Sequence, residues 1–224
     1  MLLTIPELLN QAQIEKIRQL LQDAPFVDGR LTAGFAAARV KNNLEMQPEP
    51  ERMRLLIRIT MASLGHNETV RFGVLPHRVA DPIFARYDPG MAYGDHVDDP
   101  IMGASGPRFR TDASMTIFLN APETYDGGEL VVRTSFGEQR IKLPAGHAVV
   151  YPSSSLHQVS PVTRGERLVA LTWVQSYVRD PARRELLYEL NLARERLLKD
   201  APRAETTGYV DRSYANLLRM WAEV

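Results

Sequence analysis

Apolar positions change their spacing twice along the chain, and each change marks a change of architecture. Between residues 6 and 22, Leu8, Leu9, Ile14, Ile17, Leu20 and Leu21 recur at helix-like intervals with Gln, Glu and Lys between them. That predicts one or two amphipathic helices ending before Pro25. Residues 49–64 repeat the pattern. Pro48 and Pro50 mark its start, Met53, Leu56, Ile57 and Met61 form the buried stripe, and Gly65 is the expected stop, with His66 just beyond it as a cap or solvent residue. The first third therefore reads as helical packing. From about residue 80 the texture shifts to short apolar or alternating runs at 82–87, 92–97, 114–119, 129–133, 139–143, 148–151 and 167–177, separated by Gly, Pro and Asp. Closely spaced strands without intervening helices predict an antiparallel sandwich or jelly roll, not a parallel α/β sheet. After Asp180-Pro181 the helical period returns, with Leu186, Leu187, Leu190 and Leu197 in one segment and Tyr214, Leu217, Leu218 and Trp221 in another, joined by a loop at 200–208.

The expected fold class is thus mainly β with flanking helices, α+β in organisation. Residues 1–77 form an N-terminal helical region packing on the core, 78–178 the β domain that carries the chemistry, and 179–224 a C-terminal helical extension. A chain of 224 residues suits one core with additions rather than two unrelated large domains. The leucine stripes and Trp221 of the extension are expected to pack on the sheet or to join copies into a homo-oligomer.

Charge and cysteine content narrow the partners. Lys+Arg and Asp+Glu both number 27, so no overall field draws the protein to nucleic acid or to an anionic membrane. With no cysteine, disulfides and thiolate chemistry are excluded, and any metal must be held by nitrogen and oxygen. The apolar start carries Glu7 and lacks a basic flank, and no stretch approaches the roughly 20 apolar residues of a membrane span. The expectation is a cytoplasmic protein.

One spacing points to a reaction class. In a strand, residues two apart share a face, so His96 and Asp98 can converge on one ion while Val97 turns away. Such a tripeptide also arises by chance, and Asp98-Asp99-Pro100 could simply start a turn. A second imidazole would complete a 2-His-1-carboxylate set, which leaves three positions open on iron(II). Among the remaining histidines His77 and His147 read as surface or turn residues. His157, after the strand at 148–151 and before Arg167, is better placed. Arg167 opens the apolar run Arg167-Leu168-Val169-Ala170-Leu171-Thr172-Trp173, where an inward guanidinium needs a carboxylate. A dicarboxylate such as 2-oxoglutarate would supply it bidentately; Glu166 or Glu129 could do so instead.

The ordered set Tyr87-x-x-Gly90-x-x-Tyr93-x-x-His96-x-Asp98, Phe118-Leu119-Asn120, Tyr125-Asp126-Gly127-Gly128-Glu129-Leu130, Pro144-Ala145-Gly146, Tyr151-Pro152 and His157 with Arg167 ten positions on resembles the prolyl-4-hydroxylase superfamily. Lys41-Asn42-Asn43, the run 153–157 and Asn216-Leu217-Leu218-Arg219-Met220-Trp221 resemble, more narrowly, bacterial PKHD-type hydroxylases. The resemblance implies a double-stranded β-helix with His96, Asp98 and His157 as iron(II) ligands, Arg167 and Tyr87 as contacts to 2-oxoglutarate, O2 as second cosubstrate, and L-ascorbate as a reductant. It implies hydroxylation of a small molecule or peptide with release of succinate and CO2, and an association with iron or siderophore metabolism. One position departs from the superfamily pattern: four residues after the arginine stands Leu171, with Thr172 next to it. The Gly127-Gly128 pair reads as a turn or as a close approach to the cavity. Variable loops such as 100–110 would shape the substrate entrance. Two other readings use the same residues: a non-catalytic sensor of iron and 2-oxoglutarate, and a zinc hydrolase, against which Arg167 speaks.

Overall fold

The structure is a computed structural model that describes residues 1–103, 106 and 108–224. Strand β1 (Leu3–Ile5) precedes helix α1 (Gln11–Gln22), and β2 (Phe26–Asp28), β3 (Lys41–Asn42) and β4 (Leu44–Met46) follow before helix α2 (Pro50–His66). Next come β5 (Pro76–Val79), β6 (Ile83–Tyr87), β7 (Ala92–His96) and a small hairpin of β8 (Ile101–Met102) and β9 (Phe109–Arg110). The chain continues through β10 (Ala113–Phe118), β11 (Asp126–Gly127), β12 (Leu130–Thr134), β13 (Gly137–Ile141), β14 (Ala148–Pro152), β15 (His157–Val159), β16 (Val162–Arg164) and β17 (Arg167–Ser176). Helices α3 (Pro181–Asp200) and α4 (Glu205–Trp221) close it.

Two antiparallel sheets dominate. The larger runs β1-β14-β10-β17-β6-β4-β2 with β5 also on β17, and the smaller runs β13-β12-β15-β7-β3. Strand alternation divides the side chains of the larger sheet. Phe84, Met115, Ile117, Val150, Leu168 and Ala170 pack with Ile14, Ile17 and Leu21 of α1 and Leu56 and Leu64 of α2. Their neighbours Ala85, Tyr87, Phe118, Val149, Tyr151 and Val169 face the other way, toward Leu130, Val132 and Ile141 of the smaller sheet. The site lies between these sheets.

Residues 1–77 hold the expected helices and also supply β1, β2 and β4 to the large sheet and β3 to the small one. Strands of two or three residues show no period of their own; the neighbouring strands select them by hydrogen bonding. Helix α1 starts later than the apolar pattern does, because Asn10 and Gln13 form a reciprocal capping box. Gly65 does not stop α2. The helix runs on to His66, whose Nδ1 lies 2.7 Å from the Ala62 carbonyl, and Asn67 is the C-cap. At the other end, Asp180 caps α3 by accepting from the backbone of Ala182 and Arg183. The stripes of α3 and α4 meet each other and the β domain: Leu187 and Tyr214 are buried with Leu75 and Val178, and Leu190, Leu217, Leu218 and Trp221 pack around them. Among the described residues, no helix is long and apolar enough to cross a membrane.

Candidate metal centre

His96 ends β7, His157 begins β15, and the two are register partners. Asp98 stands two residues past the end of β7 rather than within it, and still turns toward the histidines. One ligand atom from each of the three lies within 4.8 Å of the others. Asp98 Oδ1 is 3.9 Å from His96 Nε2 and 3.8 Å from His157 Nε2.

Neighbouring groups fix which atoms face the centre. His96 Nδ1 is 2.8 Å from the Gly94 carbonyl and His157 Nδ1 is 3.0 Å from that of Ser155. Only an Nδ1–H satisfies those carbonyls, so both Nε2 atoms keep their lone pairs for an ion. Burial and the facing His157 imidazole hold His96 down at about 4, which keeps it neutral near pH 7. Asp98 Oδ2 accepts from Trp173 Nε1 at 3.0 Å and from Ser114 Oγ, leaving Oδ1 for the centre. Ser153 Oγ hydrogen-bonds Ser114 Oγ at 2.7 Å. Motif and spacing do not single out Ser114, Ser153 or Trp173. The alternation in 167–173 could have found Trp173, because it shares a strand face with Arg167.

His96, Asp98, His157, Ser114 and Trp173 line a cavity of about 540 Å³ together with Tyr87, Tyr93, Tyr151, Leu130, Val159, Leu171 and Arg167. Arg167 is 1% exposed, and among the described residues its Nε and Nη1 have no hydrogen-bond partner. Of the acids the sequence offers it, Glu166 faces Arg86 at 3.9 Å and Glu129 accepts from Ser160 Oγ; neither pairs with Arg167. A buried guanidinium with unmet N–H groups fits a carboxylate-bearing ligand. Its Cζ lies 4.9 Å over the ring of Tyr87, its register partner. Burial pushes the Tyr87 phenol up to about 12, so it remains a hydrogen-bond donor. Thr172 points to the opposite face of β17 and donates to the Ala80 carbonyl at 2.7 Å, while Leu171 takes the cavity side. Gly128 adopts φ +66°, and a Cβ there would sit 2.9 Å from Arg167 Cδ. It therefore both turns the chain and makes room for the arginine.

The donor set of two imidazole nitrogens and one carboxylate oxygen, open toward a cavity, suits iron(II) with free positions, and the two unmet Arg167 nitrogens suit a carboxylate in the same cavity. Residues 82–175 match the 2OG-Fe(II) oxygenase superfamily, and residues 181–223 match the PKHD-type hydroxylase C-terminal domain. A PKHD-type hydroxylase of Thioalkalivibrio sulfidiphilus is 58% identical over 224 residues, and one of Paracoccus denitrificans is 45% identical over 227, both covering 100% of each chain. The chain belongs to the PKHD-type hydroxylases, iron(II)- and 2-oxoglutarate-dependent enzymes of that superfamily. At the level of fold it is similar to a prolyl-4-hydroxylase of Pseudomonas putida, with 20% identity, TM-score 0.53 and coverage of 78% of this chain and 92% of the other. It is also similar to HygX of Streptomyces hygroscopicus solved with nickel and 2-oxoglutarate, with 16% identity, TM-score 0.55 and coverage of 79% and 84%.

Proposed function

We propose that His96, Asp98 and His157 ligate the iron, that Arg167 takes the distal carboxylate of 2-oxoglutarate with Tyr87 donating beside it, and that the two sheets form a double-stranded β-helix around them. The observation that carries this reading is the pair of unsatisfied Arg167 nitrogens in the cavity that also holds the three-residue cluster. Iron(II) with 2-oxoglutarate and O2 supplies, when bound, the conversion of a substrate C–H to C–OH with release of succinate and CO2. The chain's own contribution is placement and dryness. Gly94 and Ser155 hold the imidazole tautomers, Ser114 and Trp173 aim Asp98, and Leu130, Val159 and Leu171 keep bulk water from the walls. L-Ascorbate from solution would be the reductant that returns bound iron to the ferrous state. The substrate is a small molecule or peptide tied to iron or siderophore metabolism. Its entrance passes the hairpin of β8 and β9, whose Ile101, Met102, Gly103 and Arg108 line the cavity; Ala104, Ser105 and Pro107 of the 100–110 loop lie outside the described residues.

Anaerobic titration of the metal-free protein with iron(II) and 2-oxoglutarate, followed by the visible charge-transfer band of the chelate, tests the site. Wild type should develop the band, and Arg167→Ala should need about a hundredfold more 2-oxoglutarate, the loss typical of a buried charge-paired contact. No band together with tight zinc binding would overturn the reading. A band without succinate release in air, across candidate substrates, would favour the sensor.

A further inference from the structure

The Lys41-Asn42-Asn43 run has no part in the ligand set above, yet Lys41 reaches the cavity wall. It is 8% exposed and Glu45 is 3% exposed. Lys41 Nζ donates to Glu45 Oε1 at 2.5 Å and to Thr32 Oγ1 at 3.1 Å, and Thr32 Oγ1 donates to Glu45 Oε2 at 2.6 Å. The ammonium also stands 5.3 Å from the centroid of the Tyr93 ring. That ring in turn stacks on the His96 imidazole, with centroids 3.6 Å apart and planes 10° from parallel.

Tyr93 and His96 are three apart, a spacing that puts side chains on opposite faces of a regular strand. A bulge brings them together, since Tyr93 pairs with Val159 and His96 with His157, one residue more on β7 than on β15. Strand β3 is drawn close to the bulge, with Lys41 the register partner of Tyr93 and the Gly94 N–H donating to the Val40 carbonyl at 2.8 Å. Tyr93 is thus held between the metal-facing imidazole and a buried ammonium. A cation attracted to the ring face presses that ring in place.

We propose that Lys41 and Glu45 are positioning residues for the metal centre: their ion pair holds Tyr93 flat against His96 and ties the orientation of that imidazole to the segment Gly29–Thr32. This rests on His96 being a ligand. A buried ion pair with a merely structural role can be exchanged for apolar residues of similar size with little loss of stability, and that property separates the two roles.

The test uses cobalt(II) as the probe, read by its visible d–d spectrum in the presence of 2-oxoglutarate. The Lys41→Met/Glu45→Leu double variant should melt near wild type, bind cobalt(II) about tenfold more weakly, as outer-contact losses do, and show an altered spectrum. Lys41→Arg, which keeps a cation over the ring, should retain the wild-type spectrum. A folded double variant with wild-type affinity and spectrum would overturn the proposal. Should it fail to fold, Glu45→Gln alone decides by the same two readouts, because it leaves the ammonium without its counter-charge. Failure of wild type to bind cobalt(II), or full binding by His157→Ala, would instead sink the ligand assignment beneath it.

Discussion

His96 shows how far one residue's surroundings reach. Its pKa is held near 4, below the ordinary 6.5, by burial and then by the His157 imidazole. As pH falls below 6.5 the unfolded chain takes up this proton and the folded chain does not, so protonation draws the equilibrium toward unfolding. The stability of the metal-free protein should therefore be level with respect to this group above about pH 6.5 and decline from there toward pH 4. Urea unfolding of the metal-free protein near neutrality and at a pH between those two values, in wild type and in His96→Phe, checks it: the decline should be shallower in the variant. That His96, Asp98 and His157 would come together, with Arg167 in the same cavity, could be expected from the ordered motifs and the residue types. The partners of Asp98 were not. Ser114 lies sixteen positions and Trp173 seventy-five positions away, and only the pairing of β10 with β17, in which Ser114 is the partner of Trp173, sets them side by side.

At the scale of elements, the join of β11 to β12 bears on the carboxylate site proposed at Arg167. Gly128 at φ +66° faces Arg167 Cδ, whereas Gly137 at φ +119° has nothing among the described residues within 4 Å of where a Cβ would stand. Ala at either site adopts an unfavourable left-handed backbone, costing roughly 1–2 kcal/mol. Gly128→Ala must also displace the arginine. It should therefore weaken 2-oxoglutarate binding as well as stability, while Gly137→Ala lowers stability alone; denaturant midpoints and ligand titration of the folded proteins separate the two. The strands at 82–87, 114–119 and 148–151 could be read from alternation and nearly coincide with β6, β10 and β14. β1 to β4 could not, being too short to carry a pattern, and neither could the bulge in β7, which arises from how two strands meet rather than from either strand's composition. Gly65 misleads for a related reason: its helix position is exposed, so the missing side chain sacrifices no packing and the helix passes through it.

For the whole molecule, the C-terminal helices are joined to the β domain by a buried arginine. Arg184 is 4% exposed and donates to the carbonyls of Val178 and Arg179, both at 2.8 Å, and to that of Asp112 at 3.3 Å. Asp112 in turn accepts from Arg110 at 2.7 Å, and Arg110 meets Glu223 near the C-terminus at 3.2 Å. Arg184→Ala strands these carbonyls away from water, a loss of about 2–4 kcal/mol, so its thermal midpoint should drop by roughly 10 °C. The 2-oxoglutarate affinity of the folded variant should match wild type; a matching midpoint would mean the helices hold by their apolar contacts alone.

The hydrogen bond from Trp173 to Asp98 gives the protein an optical reporter of its own centre. The chain has two tryptophans. Trp221 sits in the α4 cluster, whereas the Trp173 indole touches the carboxylate that would ligate iron. A paramagnetic ion at that carboxylate quenches the indole hydrogen-bonded to it, so occupancy can be followed by emission without any label, with Trp221→Phe removing the second indole's contribution.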